Sequence, residues 1–298
     1  MRTDAIISQL GEKEKKEGTL PQLLQFYQKL LRIQSRAEQK LASLPEPSLS
    51  SEAINKRIER GLPLVSFDKL VLNRSLLQDI FAEVTATFAE HPELFGELPK
   101  KLKKPLSAHL PTREAVKAWF EGAKLPTTNS ISEHLLAAVI HATLKPFLIS
   151  HAKALFGFIE QERWRRGYCP ICGGSPDFAS LDKEYGARWL LCSRCDTEWL
   201  FQRLECPYCG TQDQNALAYF TSDEGPYRLY VCEQCKRYLK AIDLRQAKSD
   251  VLLPLERLYT LDIDRQAQEQ GYSPCAKAGG GEGMKRQWGA TLLAREKS

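Results

Sequence analysis

Four Cys-x-x-Cys pairs lie between residues 169 and 235: Cys169/Cys172, Cys192/Cys195, Cys206/Cys209 and Cys232/Cys235. They hold eight of the nine cysteines in a chain of 298 residues. A tight turn between two cysteines aims both sulfurs at one point. Proline after the first cysteine fixes φ and removes a donor, and glycine after the second permits a left-handed turn close to sulfur. Cys169–Gly173 and Cys206–Gly210 have both features, whereas Cys195 is followed by Asp196 and Cys235 by Lys236. Each assisted turn is thus followed by a plainer one.

Two such turns complete a tetrahedral four-thiolate site. The separations are 19 residues between Cys172 and Cys192 and 22 between Cys209 and Cys232, close to the spacing of metal ribbons. Sequential pairing is simplest, with Cys169, Cys172, Cys192 and Cys195 on one ion and Cys206, Cys209, Cys232 and Cys235 on the other. Interleaved pairing stays open, because only 10 residues separate Cys195 from Cys206. Thioredoxin-type redox pairs need the motif at the start of a helix, and Gly173, Gly174 and Pro176 argue against one there. With all four positions filled by sulfur, each site is closed to hydrolytic chemistry. The role is then structural, or electron transfer if the metal is iron. Affinity order favours zinc over ferrous iron.

The rest of the chain frames this block. Length suggests two domains. Before residue 165 apolar residues recur at helical spacing, as in Leu23, Leu24, Phe26, Tyr27, Leu30, Leu31 and Ile33. Thr19, Ser50 or Ser51, Asn73 and Thr112 are candidate helix caps, and Ser130 to Glu133 has capping-box spacing. That box opens a long apolar helix expected to reach Trp164, kinked at Pro146. After Gly167, short aromatic and β-branched segments alternate with turn residues: Arg188–Leu191, Glu198–Leu204, Ala218–Thr221, Tyr227–Val231 and Lys236–Ile242. A last amphipathic helix is expected over Pro254–Gln268. The fold expected is α+β: an all-helical domain (1–165), a double four-cysteine ribbon-like domain (166–246), a C-terminal helix (247–275) and a disordered tail (276–298).

Composition narrows the function. Formal net charge is +5, but eight thiolates and two divalent ions bring it to about +1, which weakens a nucleic-acid reading. Trp189, Tyr208, Tyr219, Tyr230 and Tyr238 could stack bases; covering the ribbons is the better role. The longest apolar run, Leu135–Ile140, is far shorter than the roughly 18 residues of a membrane span. No basic-then-apolar signal pattern opens the chain, and paired reduced thiols suit a cytoplasmic location. His134 and His141, seven residues apart, share a helix face, but zinc helices space ligands by four, so a structural role is expected. Lys100, Lys101, Lys103 and Lys104 read as a solvated face, and Cys275 as an incidental thiol.

The runs GYCPICGGSPDFASL, WLLCSRCDTEWLFQRLECPYCG and CEQCKRYLK resemble the family of the formate dehydrogenase accessory protein FdhE. CDTEW, with Arg203 and Cys206 following at the family's distances, is the most specific part. LDIDRQAQEQGY looks like that family's C-terminal helix, so the resemblance is close over about residues 164–272. Upstream it is looser, resting on a helical domain and on the segment Gly61–Leu64. The resemblance implies a non-enzymatic maturation factor that binds the formate dehydrogenase catalytic subunit, with two rubredoxin-like iron centres held by the eight cysteines. Asp196, Glu198, Trp199 and Arg203 then form a candidate client-contact patch, although packing is the stronger role for Trp199. The competing readings are a zinc-ribbon nucleic-acid-binding protein and a rubredoxin-like electron carrier.

Overall fold

The computed structural model describes residues 21–42, 49–95, 112–125, 132–222, 225–247 and 250–274. Thr19, the Lys100–Lys104 cluster, Ser130, Cys275 and the segment 276–298 lie outside them. The chain divides into two compact units, Met1–Pro47 with Phe67–Ala154, and Ser48–Ser66 with Leu155–Ser298.

The described elements of the first unit are helical: α1 (Pro21–Leu41), a 3-10 turn (Phe67–Lys69), α3 (Arg74–Ala89), α4 (Pro92–Phe95), α5 (Arg113–Glu121) and α6 (Glu133–Leu155); α2 (Ser51–Glu59) belongs to the second unit. Asn73 and Thr112 cap α3 and α5 by accepting from Leu76 N at 2.9 Å and Ala115 N at 3.2 Å. For α6 the cap is Ser132, whose Oγ accepts from Leu135 N at 3.2 Å. The Glu133 carboxylate accepts from Leu125 N at 3.0 Å, and the Ser130 half of the expected box lies outside the described residues.

Helix α6 continues through Pro146 but ends at Leu155, not Trp164. A 3-10 turn, Phe156–Phe158, follows, and the Trp164 indole donates to Tyr168 O at 2.9 Å, beside the first cysteine turn. By length and composition Glu133–Phe158 could cross a membrane, but 56% of its apolar window is buried within the protein, as in a core helix. Ile140, Leu144, Phe147 and Leu148 are almost wholly enclosed, and His141 stacks on Trp119 with ring centroids 5.7 Å apart. His134 is exposed. His151 accepts from Val71 N through Nε2 and bonds Phe147 O through Nδ1, and burial pushes its pKa down; it is a neutral core histidine.

The second unit is built on one six-stranded sheet: β1 (Pro176–Leu181), β2 (Arg188–Cys192), β3 (Glu198–Phe201), β4 (Leu217–Thr221), β5 (Tyr227–Cys232) and β6 (Arg237–Asp243). Its order is β3-β2-β1-β6-β5-β4. The two cysteine repeats each contribute an antiparallel three-stranded meander, third strand to first, and they join where β1 runs parallel to β6 with Phe178 opposite Lys240. The expected tandem modules are therefore fused edge to edge. Strand β1 had no counterpart among the segments expected from sequence. It begins at a proline, tolerated as a strand's first residue, after a Gly-Gly-Ser stretch that resembles a loop.

Helices α7 (Leu253–Tyr259) and α8 (Leu261–Glu269) cover one sheet face. Leu253 packs with Phe178, Leu191 and Ile242, and Ala267 with Val231 and Tyr238. The sequence pattern predicts a single helix over Pro254–Gln268. The chain breaks at Thr260 because its carbonyl, with that of Arg257, accepts from the buried Lys240 ammonium at 3.2 and 3.1 Å. That ammonium also pairs with Asp264.

At the end of β6, Asp243 has no exposed side-chain surface and pairs with Arg228 and Arg245. Hydrogen bonds from Arg245, with the Arg228 charge, hold its pKa down to about 2, against 3.8 for an ordinary aspartate. A depressed carboxyl contributes stability above its unfolded pKa and loses it as pH falls through the folded value. Urea melts should therefore show this contribution intact above about pH 4 and fading towards pH 2. Asp243→Ala strands the Arg228 charge and should cost roughly 3 kcal/mol at neutral pH; a loss under about 1 kcal/mol would contradict the assignment.

Candidate metal centres

The four cysteine turns share one backbone solution. In three of them the amide after the second cysteine returns to the first cysteine's carbonyl: Gly173 N to Cys169 O at 3.0 Å, Asp196 N to Cys192 O at 3.3 Å and Gly210 N to Cys206 O at 2.9 Å. The residue after the second cysteine is left-handed in all four, with φ of 70° at Gly173, 53° at Asp196, 75° at Gly210 and 52° at Lys236. Asp196 and Lys236 hold this conformation against the steric cost of a β-carbon, on the order of 1–2 kcal/mol.

These turns gather the sulfurs into two clusters, Cys169–Cys172–Cys192–Cys195 and Cys206–Cys209–Cys232–Cys235, each with its four sulfurs within 4.8 Å of one another. In the first, Cys169–Cys195 are 3.6 Å apart and Cys172 lies 3.5 Å from both Cys192 and Cys195. In the second, Cys206–Cys235 and Cys209–Cys232 are each 3.7 Å apart. A tetrahedron with metal–sulfur bonds of about 2.3 Å has edges of about 3.8 Å, whereas a disulfide needs about 2.05 Å. The geometry suits one ion per cluster, and the donors suit zinc or iron.

The first cluster is wholly buried, while Cys209 and Cys235 leave the second half-open. Burial, with the neighbouring sulfurs, pushes the Cys169 and Cys195 thiols far up. Burial opposes ionisation of Cys192 too, but sulfur hydrogen bonds from Cys169, Cys172 and Cys195 outweigh it and pull that thiol down. In the second cluster the contact with Cys235, then burial, raises Cys206, and burial leads in raising Cys209 to about 11. Without a cation, each cluster can carry little negative charge. A divalent ion reverses that balance and displaces protons as it binds.

Residues outside the motifs brace the first cluster. Leu64 N and Val65 N donate to Pro170 O and Ile171 O, both at 2.8 Å, and Tyr168 Oη donates to Gly61 O at 2.8 Å. The segment Gly61–Val65 thus lines the first turn. Arg257, on α7, donates to Cys192 O at 3.1 Å and pairs with Asp196 at 3.0 Å and Asp177 at 2.9 Å. Burial alone would weaken its charge, but Asp177 and Asp196 more than restore it. Arg257, Asp177 and the Thr197 hydroxyl, 3.0 Å from Cys195 Sγ, were not singled out from sequence; an arginine on an amphipathic helix has no mark to separate it from a solvated one.

Of the four candidate contact residues, Trp199 is fully enclosed and its indole donates to Arg166 O at 2.8 Å. Asp196 is engaged with Arg257. Glu198 is half-buried on β3, and Arg203 is exposed.

Residues 168–203, which carry the first cluster, match the family description "FdhE, central domain". A protein named FdhE homolog from Aquifex aeolicus is 31% identical over 263 residues, covering 84% of this chain and 85% of that one. The chain belongs to the FdhE family. An FdhE homolog from Pseudomonas aeruginosa is 26% identical over 239 residues, covering 75% and 72% of the two chains. The crystal structure of the Pseudomonas aeruginosa FdhE protein superposes with a TM-score of 0.60 at 24% identity, over 91% of this chain and 92% of that one. The likeness of fold therefore extends through both units of this FdhE family member.

Two glycines separate steric from conformational demands. A β-carbon on Gly167 would lie 1.9 Å from Pro207 O, so the approach to the first turn packs directly on the backbone of the third. On Gly210, at φ 75°, it would meet nothing within 4 Å. Gly210→Ala should cost only the left-handed penalty, about 1–2 kcal/mol. Gly167→Ala should cost clearly more and disturb both clusters, read as thiol accessibility at all eight cysteines. Equal melting temperatures for the two variants would refute the close packing.

Proposed function

We propose that this protein is a non-enzymatic accessory factor that binds the catalytic subunit of formate dehydrogenase during its maturation. The supporting observation is the pair of closed four-sulfur clusters set in an FdhE-family fold. Four sulfurs leave no open position at which a metal could activate water or substrate, so the chemistry fits a folded, metal-stabilised binding lobe.

In this reading the eight cysteines hold two ions, iron by the family resemblance or zinc by affinity order. The protein works in a thiol-reducing, cytoplasmic setting, because reduced sulfurs are the ligands. Client contact falls to the accessible members of the first repeat, Glu198 and Arg203, with Asp196 and Trp199 shaping the surface behind them.

Deleting the gene should abolish formate dehydrogenase activity while the catalytic polypeptide is still made. The wild-type gene should restore activity, and a Cys192→Ser version should restore far less. Full activity in the deletion strain would rule the reading out.

A further inference from the structure

A cavity of about 270 Å³ lies beside the second cluster on the sheet face that α8 does not cover. Its walls are largely apolar, from Leu204, Leu217, Leu239 and the rings of Tyr208, Tyr219 and Tyr230. Leu204 and Tyr219 are also exposed at its rim. Cavities that hold drug-sized ligands begin at about this size, so there is room for one large residue rather than an extended molecule.

Two residues of the lining each carry a buried donor with no hydrogen-bond partner among the described residues, Arg188 at Nε and Tyr230 at its hydroxyl. Arg188 is only 3% exposed. Its Nη2 serves the carbonyls of Gln202 and Glu205, and its guanidinium lies 5.2 Å from the Phe201 ring centroid and 5.6 Å from that of Tyr230. Burial lowers its pKa to about 10, so it is cationic at neutral pH. Bracing the loop uses Nη2 alone, and leaving Nε unpaired carries a desolvation cost that an incoming acceptor would remove.

Arg203 and Arg237 join Arg188 on the lining, against the single carboxylate of Glu205, which is held by Gln212 at 3.0 Å. Cys206 and Cys232 stand on the same wall. A divalent ion in that cluster would bring a formal charge of −2, spread over four sulfurs, and leave the surroundings near neutral. An incoming carboxylate is therefore matched locally, at Arg188 and Tyr230, and not drawn in by a net positive field.

We propose that this cavity captures the C-terminal residue of a polypeptide partner, its apolar side chain against the tyrosine and leucine walls and its carboxylate accepting from Arg188 Nε–H and Tyr230 O–H, which the two side chains turn to expose as the residue enters. A C-terminal residue carries both features on one α-carbon, which suits so compact a cavity; an internal acidic residue would need a second, apolar residue beside it. Capture of a terminal carboxylate is an established mode of peptide recognition. The inference does not depend on the partner being a dehydrogenase subunit.

The test is equilibrium binding of the metal-loaded full chain to acetyl-Gly-Ser-Gly-Phe with a free carboxylate, to its C-terminal amide, and to the capped acidic peptide acetyl-Gly-Phe-Glu-Gly-amide. The free acid should bind saturably, and the other two about tenfold more weakly or worse, the effect of losing a hydrogen-bonded charge. Tyr230→Phe removes only a hydroxyl and should weaken the free acid several-fold with metal content unchanged. Equal binding of acid and amide, tighter binding of the capped acidic peptide, no saturable binding at millimolar concentration, or indifference to Tyr230→Phe would each overturn the proposal.

Discussion

Sulfurs about 3.6 Å apart in a dry pocket are tolerable as thiols and strongly repulsive as thiolates. Two unit charges at that distance repel by on the order of 5 kcal/mol, even at an effective dielectric of about 20. A central cation changes the sign of the arrangement, and the rest of the second unit is built to hold the sulfurs where such a cation would sit. Each second cysteine is followed by a left-handed residue, and at Asp196 and Lys236 no glycine relieves the strain. Such strain persists where the surroundings over-determine it. At Asp196 the restraint is visible as the ion pair with Arg257.

The two clusters are one construction. Cys192 closes β2 and Cys232 closes β5, so both second-half turns hang from strand ends of the same sheet. The parallel β1–β6 pairing fuses the two meanders. Arg188 starts the strand that ends at Cys192 and holds the carbonyls of Gln202 and Glu205, just ahead of Cys206. Gly167 and Pro207 bring the entries to the two sites into direct backbone contact. Disturbing one cluster therefore loads the strands and turns of the other.

The grouping of the eight cysteines into two sets of four and the α+β architecture are legible in the sequence because spacing, turn residues and periodicity carry them directly. Five of the six strands were legible for the same reason. Strand β1 was not, since its Gly-Gly-Ser-Pro approach has loop chemistry and only pairing with β2 and β6 makes it central. The break at Thr260 was hidden because it serves a buried lysine on another element, a tertiary demand that local periodicity does not contain. Arg188 and Arg257 carry no mark in the sequence for the same reason: composition places arginine in solvent, and only the fold shows these two enclosed against carbonyls and carboxylates. The role of Gly61–Val65 against the first turn likewise depends on contacts more than 100 residues apart in sequence.

If the four-sulfur clusters are metal centres, the second unit's fold depends on them. Elemental analysis of the anaerobically purified full chain, before and after a strong chelator, tests it most directly. The protein should carry close to two ions of iron and zinc combined per chain, keep its thiols inaccessible while the metal is bound, and lose the sheet unit's cooperative melting once it is stripped. A metal-free protein that melts unchanged and takes up no ion would contradict it.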